Sequence, residues 1–187
     1  MEEDILQAVA VLRNGGLILY PTDTVWGIGC DATSEAAVQK IYDLKRSGDK
    51  KSMLVLVGRI EDVGRYVRRV PEVAWQLLEL ADKPLTLILP GAAGVAPNLI
   101  PEEGTIGIRV PQHEFCRQLL RRFGRPIVST SANITGQSAP VRPAEVSKEI
   151  VAGIDYIVSR ASEGNMSGKP SSIIALDEGG QVKIIRE

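Results

Sequence analysis

Four clusters of polar residues stand at the ends of short apolar runs. Thr22-Asp23-Thr24 follows "LILY" (17–20), and Arg109 closes the run "TIGIR" (105–109). "STSAN" (129–133) follows Pro126-Ile127-Val128, and Ser171-Ser172 opens "IIAL". Cations gather separately at Lys45, Arg46, Lys50 and Lys51. Guanidinium and ammonium groups beside hydroxyls and backbone amides hold phosphate oxygens and developing negative charge. Open α/β sheets bind ligands in the crevice beyond their strand ends, so the clusters predict an anion site there. A plainer reading stays open for each: a solvated turn for Lys45 to Lys51, and Ser/Thr or Asx turns satisfying their own backbone for "STSAN".

Other chemistries lack their residues. There is no phosphate-loop glycine-lysine motif, no dinucleotide glycine fingerprint and no nucleophile elbow. Gly27-Ile28-Gly29 is too short to carry meaning alone. The single histidine, His113, follows Pro111 and is placed to cap the next helix. A serine hydrolase built on "STSAN" would need His113 beside a serine. No His, Cys and Asp cluster has metal-ligand spacing, whereas Mg²⁺ arriving with a nucleotide needs few dedicated protein ligands.

The elements that must position these groups follow from periodicity. Ile5, Val9 and Leu12 share one face of a helix over 4–14, stopped by Gly15-Gly16. "LILY" predicts a strand running into a polar, glycine-rich loop, "PTDTVWGIG". Ser34 suits the N-cap of a helix over 35–46. "MLVLV" (53–57), "LTLIL" (85–89) and "TIGIRV" (105–110) predict strands. Helices are expected over 60–69, over 71–81 with Pro71 in the first turn, over 113–123, and near 143–151. "PIVS" predicts a strand with a polar loop from Ser129 to Arg142. Strands near 155–159, 171–176 and 181–186 complete the chain, the last two joined by a turn at Glu178-Gly179-Gly180-Gln181. Helix and strand alternate at first and the end is strand-rich, which predicts an open, mixed α/β sheet with flanking helices.

The chain has 187 residues, 44% of them apolar, and a net charge of −1, values of one ordinary globular domain over 1–187. That balance excludes a uniformly basic nucleic-acid coat, but 22 Lys and Arg leave room for a local basic patch. Cys30 and Cys116 have neither zinc-type spacing nor the density of a disulfide scaffold, and read as small, reduced core residues. The acidic start lacks a signal peptide's basic region, and no apolar run approaches the ~20 residues that span a bilayer. A cytoplasmic protein with no membrane partner is expected.

At these clusters the chain resembles the YrdC-like family, whose best-known members are threonylcarbamoyl-AMP synthases. "YPTDTVWGIGCDA" (20–32) is similar to the family's opening signature. "GTIGIRVPQH" (104–113), "PIVSTSANITGQ" (126–137) and "KPSSIIAL" (169–176) resemble its later blocks in the same order. The resemblance implies a curved, twisted α/β sheet with a basic concave cavity. It implies a nucleotidyltransferase that joins L-threonine, bicarbonate or CO₂, and ATP, with Mg²⁺ carried by the ATP. Threonylcarbamoyl-AMP and pyrophosphate are the products, and a downstream threonylcarbamoyl transferase modifies an adenosine of tRNA.

Carried over by the resemblance, the family's nucleotide-handling tetrad falls on Lys45, Arg46, Ser131 and Asn133. Thr24 and Arg109 match threonine-binding positions, and Thr105, Ser129, Ser171 and Arg186 match further ligand contacts. Lys45, Arg46 and Lys51 would offset phosphoryl charge by position, and Arg109 offers a planar fork for a carboxylate. The family usually reads Lys-x-Arg-Pro where this chain has Lys45-Arg46-Ser47-Gly48, so its arginine position falls on Ser47. That departure keeps open a YrdC-like paralogue that binds tRNA or double-stranded RNA without efficient synthesis, in a salt-dependent way. Trp26 reads either as a wall of the cavity or as core, and Trp75 as packing. Longer relatives carry a further C-terminal domain, and with the chain ending at Glu187 a single-domain form is expected.

Overall fold

A computed structural model describes residues 1–47, 53–140 and 142–187. In chain order the elements are α1 (Glu2–Arg13), β1 (Ile18–Pro21), β2 (Trp26–Asp31), α2 (Glu35–Lys45), β3 (Leu54–Leu56), α3 (Glu72–Leu80) and β4 (Leu85–Pro90). They continue with β5 (Thr105–Arg109), α4 (Glu114–Phe123), β6 (Ile127–Ser131), α5 (Lys148–Ala152), β7 (Tyr156–Ile157), β8 (Ser172–Leu176) and β9 (Val182–Arg186). All described strands join one mixed sheet in the order β7-β1-β2-β6-β3-β5-β4-β8-β9. The open, mixed α/β sheet with flanking helices expected from the sequence is present.

Register decides which residues share a face, because directly paired residues point the same way and neighbours along a strand alternate. Gly27 pairs with Ser131, and Gly29 with Ser129. Ser129 pairs with Leu54, which pairs with Gly107. Thr105, Gly107 and Arg109 alternate along β5, with Thr86 of β4 opposite Arg109. One face therefore carries glycines, hydroxyls and Arg109. The other carries Ile28, Cys30, Val128, Val55, Ile108 and Leu87, all buried. The apolar face is the core; on the other, Tyr20 and Ile127 cover Gly29, and the half-buried Ser131, Leu54, Gly107 and Thr105 are left to line a site.

Helix signals act locally as their chemistry requires. The Ser34 hydroxyl accepts from the Ala37 amide and starts α2. In α4, Phe115, Cys116, Leu119, Leu120 and Phe123 are buried while Arg117, Arg121 and Arg122 face solvent, and Gly124 ends it at φ 77°. The carboxylate of Asp4, buried in the first turn of α1, accepts from Tyr156 Oη, Ser159 N, Ser159 Oγ and Ser162 Oγ at 2.7–3.0 Å. That bouquet fastens the 156–162 segment to α1.

Several boundaries differ from the expectation. Residues 60–65 form a 3-10 helix, not the start of an α-helix to 69. Gly64 and the β-branched residues at 60, 63 and 67 weaken an α-helix there. Trp26–Asp31 is strand rather than loop, Gly27 and Gly29 admitting close contact on one face. Strand β6 runs through Ser129 and Thr130 to Ser131, so three of the five residues of "STSAN" are strand. Pro71 caps α3 from outside its first turn. The helix near 143–151 divides into a 3-10 turn over Pro143–Glu145 and α5. The strand near 155–159 shortens to two residues. No helix among the described residues is long and apolar enough to cross a membrane.

Candidate active site

At one end of the polar face, α2 and the turn after β6 grip each other. Lys45 is 3% exposed, and its Nζ donates to the carbonyls of Ser131 at 2.6 Å and Asn133 at 2.5 Å. In return the Thr135 amide donates to the Lys45 carbonyl at 3.2 Å. Asn133 Nδ2 donates to the carbonyls of Ile134 and Gln137, which closes the turn, while its buried Oδ1 has no partner among the described residues. Burial pushes the Lys45 amine down to about 8. A neutral amine still donates to both carbonyls, so deprotonation removes the cation and leaves the turn intact.

Along the strands toward the other end, the 22–25 loop folds so that Thr24 meets Arg109. Arg109 is 3% exposed, with Nη1 donating to Thr24 Oγ1 at 3.3 Å and Nη2 lying 3.4 Å from Asp23 Oδ1. Thr22 Oγ1 and Thr24 Oγ1 are 2.9 Å apart, and the Thr22 hydroxyl donates to the Val25 carbonyl. From behind, Ser167 and Gly168 amides donate to the Asp23 and Thr24 carbonyls. Arg109 Nε is buried without a partner among the described residues. A buried guanidinium donor left unpaired is costly unless something fills it, and a carboxylate is its natural partner.

Between these ends lies a floor of small residues. A Cβ added at Gly27 would sit 3.1 Å from the Thr130 carbonyl and 3.5 Å from Ser129 Oγ. One at Gly29 would sit 2.7 Å from the Tyr20 ring. Ser129 is buried in this floor, while Ser131, Leu54, Gly107 and Thr105 are half-buried and open to a ligand. Burial raises the Tyr20 hydroxyl and both cysteine thiols, so none of the three supplies an anion near neutrality.

At the β8 edge, Ser171 Oγ and Thr86 Oγ1 are 2.8 Å apart, and Arg186 Nε and Nη2 donate to the Ser171 carbonyl at 2.9 and 2.8 Å. Since Thr86 stands opposite Arg109, these residues abut the Arg109 end.

The structure thus brings Thr24, Arg109, Ser171 and Arg186 to one end, and Lys45, Ser131 and Asn133 to the other. Ser129 and Thr105 belong to the same face. Arg46 is set apart. It is the C-cap of α2, at φ 52°, with its side chain two-thirds exposed and paired with Glu149 of α5. Lys51 lies outside the described residues. His113 Nε2 meets the Glu163 carbonyl at 2.7 Å rather than a serine hydroxyl. Trp26 is fully buried on the apolar face and donates to Glu163, which makes it core.

Thr22, Asp23, Thr86 and Glu163 went unassigned in the sequence. Asp23 and Thr22 had a signal, being next to Thr24 in the same polar cluster. Thr86 had only its alternation within "LTLIL".

The floor of glycines and hydroxyls, flanked by a buried lysine and a buried arginine, lies on one face of an open mixed α/β sheet, an arrangement able to hold an anion. The chain belongs to the Sua5/YciO/YrdC family, whose model, described as "Telomere recombination", matches residues 10–187. It is 36% identical over 172 residues to the threonylcarbamoyl-AMP synthase of Hahella chejuensis, covering 90% of this chain and 91% of that protein. It is 33% identical over 190 residues to the threonylcarbamoyl-AMP synthase of Mus musculus, covering 98% and 66%.

Among solved structures, Sua5 of P. abyssi complexed with L-threonine superposes with a TM-score of 0.84 at 30% identity, covering 94% of this chain. The chain spans about half of that Sua5 chain, 52%. E. coli YciO superposes with a TM-score of 0.86 at 28% identity, covering 100% and 90%. Relatives named as synthases do not favour the reading as an RNA-binding paralogue without synthesis.

Proposed function

We propose that the protein is an L-threonylcarbamoyladenylate synthase acting through one YrdC-like domain over 1–187 in the cytoplasm. One observation carries this reading: the buried Arg109, its Nε without a partner among the described residues, beside Thr24 and across a glycine-floored face from Lys45. A guanidinium fork and a neighbouring hydroxyl suit the carboxylate and side chain of L-threonine. Asp23 holds the guanidinium in place. Ser129, Ser171 and Arg186 complete that end, with Thr86 fixing Ser171.

The amine nitrogen of threonine bonds to the carbon of CO₂ and loses a proton, or bonds to that of bicarbonate as a carbon–oxygen bond breaks and water leaves; either way a carbamate results. A carbamate oxygen then forms the bond to the α-phosphorus of ATP. The bond from that phosphorus to the bridging oxygen breaks, and pyrophosphate leaves with the electron pair. Lys45 stands where that negative charge grows, the hydroxyl of Ser131 presents a neutral donor beside it, and Asn133 closes the turn that carries both. Thr105 opens the other side of the nucleotide path, and the positive charge of Lys51 would offset the negative charge of the leaving group. Mg²⁺ enters as part of the ATP substrate. The adenylate then passes to a threonylcarbamoyl transferase acting on tRNA. Arg46, turned toward Glu149, contributes least of the tetrad.

The test is pyrophosphate release from ATP and bicarbonate, with and without L-threonine, for wild type, Lys45→Ala and Arg46→Ala. Threonine-dependent release that collapses in Lys45→Ala and largely survives in Arg46→Ala is expected. Release that ignores threonine would overturn the reading.

A further inference from the structure

A second basic site lies away from this face. Five arginines, Arg59, Arg65, Arg117, Arg121 and Arg125, converge from three chain segments on a recess of about 340 Å³. It opens between the chain after β3, the 3-10 helix at 60–65 and α4, and none of the residues assigned to the reaction lines it. Among the described residues, only Asp62 and Glu114 bring negative charge to its walls. Asp62 orients two of the guanidinia at once, Arg59 at 3.1 Å and Arg65 at 3.5 Å, and can neutralise only one. Arg125 is fixed by Asp31 at 2.8 Å and lies 6.0 Å from the Phe123 ring centroid. Arg117 and Arg121, one turn apart on the exposed face of α4, have side chains without a partner among the described residues. A surplus of guanidinia around a recess, in a chain of net charge −1, is not an average surface.

We propose that this recess binds a small oligophosphate, either free pyrophosphate or the diphosphate tail of a nucleotide. Planar forks converging from several sides match the non-bridging oxygens of adjacent phosphoryl groups. The volume lies at the small end of the range for small-molecule clefts. A recess favours a compact anion over a nucleic-acid backbone, which lies across exposed ridges and meets charges one phosphate at a time. Tyr66 in the wall offers a ring face if a nucleoside is attached.

The experiment is calorimetric titration of the full chain at physiological salt with inorganic pyrophosphate, ADP, adenosine and a short RNA duplex. Lys45→Ala is the background, which takes the other anion site out of the reading. Pyrophosphate is expected to bind that protein at one equivalent. Adding Arg117→Ala and Arg121→Ala weakens binding by about tenfold or more, since two charge-assisted contacts are lost. Arg68→Ala with Arg69→Ala, exposed arginines outside the recess, leaves it unchanged.

ADP binding as pyrophosphate does marks the bare oligophosphate as the ligand, and tighter ADP binding marks a nucleotide. No pyrophosphate binding, an equal loss in the Arg68 and Arg69 variant, or equal binding of adenosine would each overturn the proposal. So would an RNA duplex that depends on Arg117 and Arg121 when pyrophosphate does not.

Discussion

Lys45 is a cation in a place that disfavours cations, and its two carbonyl bonds do not need its charge. If catalysis needs the charge, synthesis falls as pH rises through about 8, where Lys45 loses its proton. The pH profile of threonine-dependent turnover checks this. Lys45→Arg keeps a charge that does not titrate there, so its residual activity should hold flat across that range. Arg109→Lys keeps a charge but loses the fork. It should raise KM for threonine about tenfold or more, one charge-assisted bond's worth, with a smaller effect on KM for ATP. Initial rates at varied threonine read that split. Much of this site was legible before any coordinates. Thr105, Gly107 and Arg109, like Ser129 and Ser131, are two apart, so each set had to share a sheet face. Arg46 was not legible, because its direction depends on a left-handed cap that the neighbouring sequence does not announce.

At the scale of elements, Asp4 links the first helix to the segment at 156–162 beside the sheet's edge. Burial alone would raise its carboxyl, but four hydrogen bonds to the charged form prevail and hold it far below its ordinary range. Asp4→Asn should cost roughly 2–3 kcal/mol in denaturant unfolding, since a carboxamide cannot accept all four bonds. Because the folded carboxyl titrates below its unfolded value of 3.8, its stabilisation is complete above that pH and is lost as pH falls beneath it. Wild type and variant should therefore converge in stability under acid. Ser34→Ala, which removes the α2 cap, should cost about 1 kcal/mol in the same assay. Ser34 was readable as a cap from its place before an apolar-periodic run. Asp4 was not, since its partners lie more than 150 residues away. Trp26–Asp31 escaped recognition because glycines at 27 and 29 hide strand alternation. Those glycines keep the floor of the site low.

Over the whole molecule, the sheet order could not be read from the chain, because β6 enters between β2 and β3, and β8 pairs with β4 across a long connection. The mixed sheet was legible from the alternation of elements, and its polar face from the residues at the strand ends. Charge followed neither rule. A net charge of −1 conceals a recess lined by five arginines at one place and a buried lysine and arginine at another. The two placements share no lining residue.

The most direct test of the central claim is pyrophosphate release by the wild-type protein from ATP and bicarbonate as L-threonine is titrated. Saturable, threonine-dependent release, lost in Lys45→Ala and shifted to higher threonine in Arg109→Lys, is predicted. A well-folded wild type that releases no pyrophosphate at any threonine concentration would contradict it.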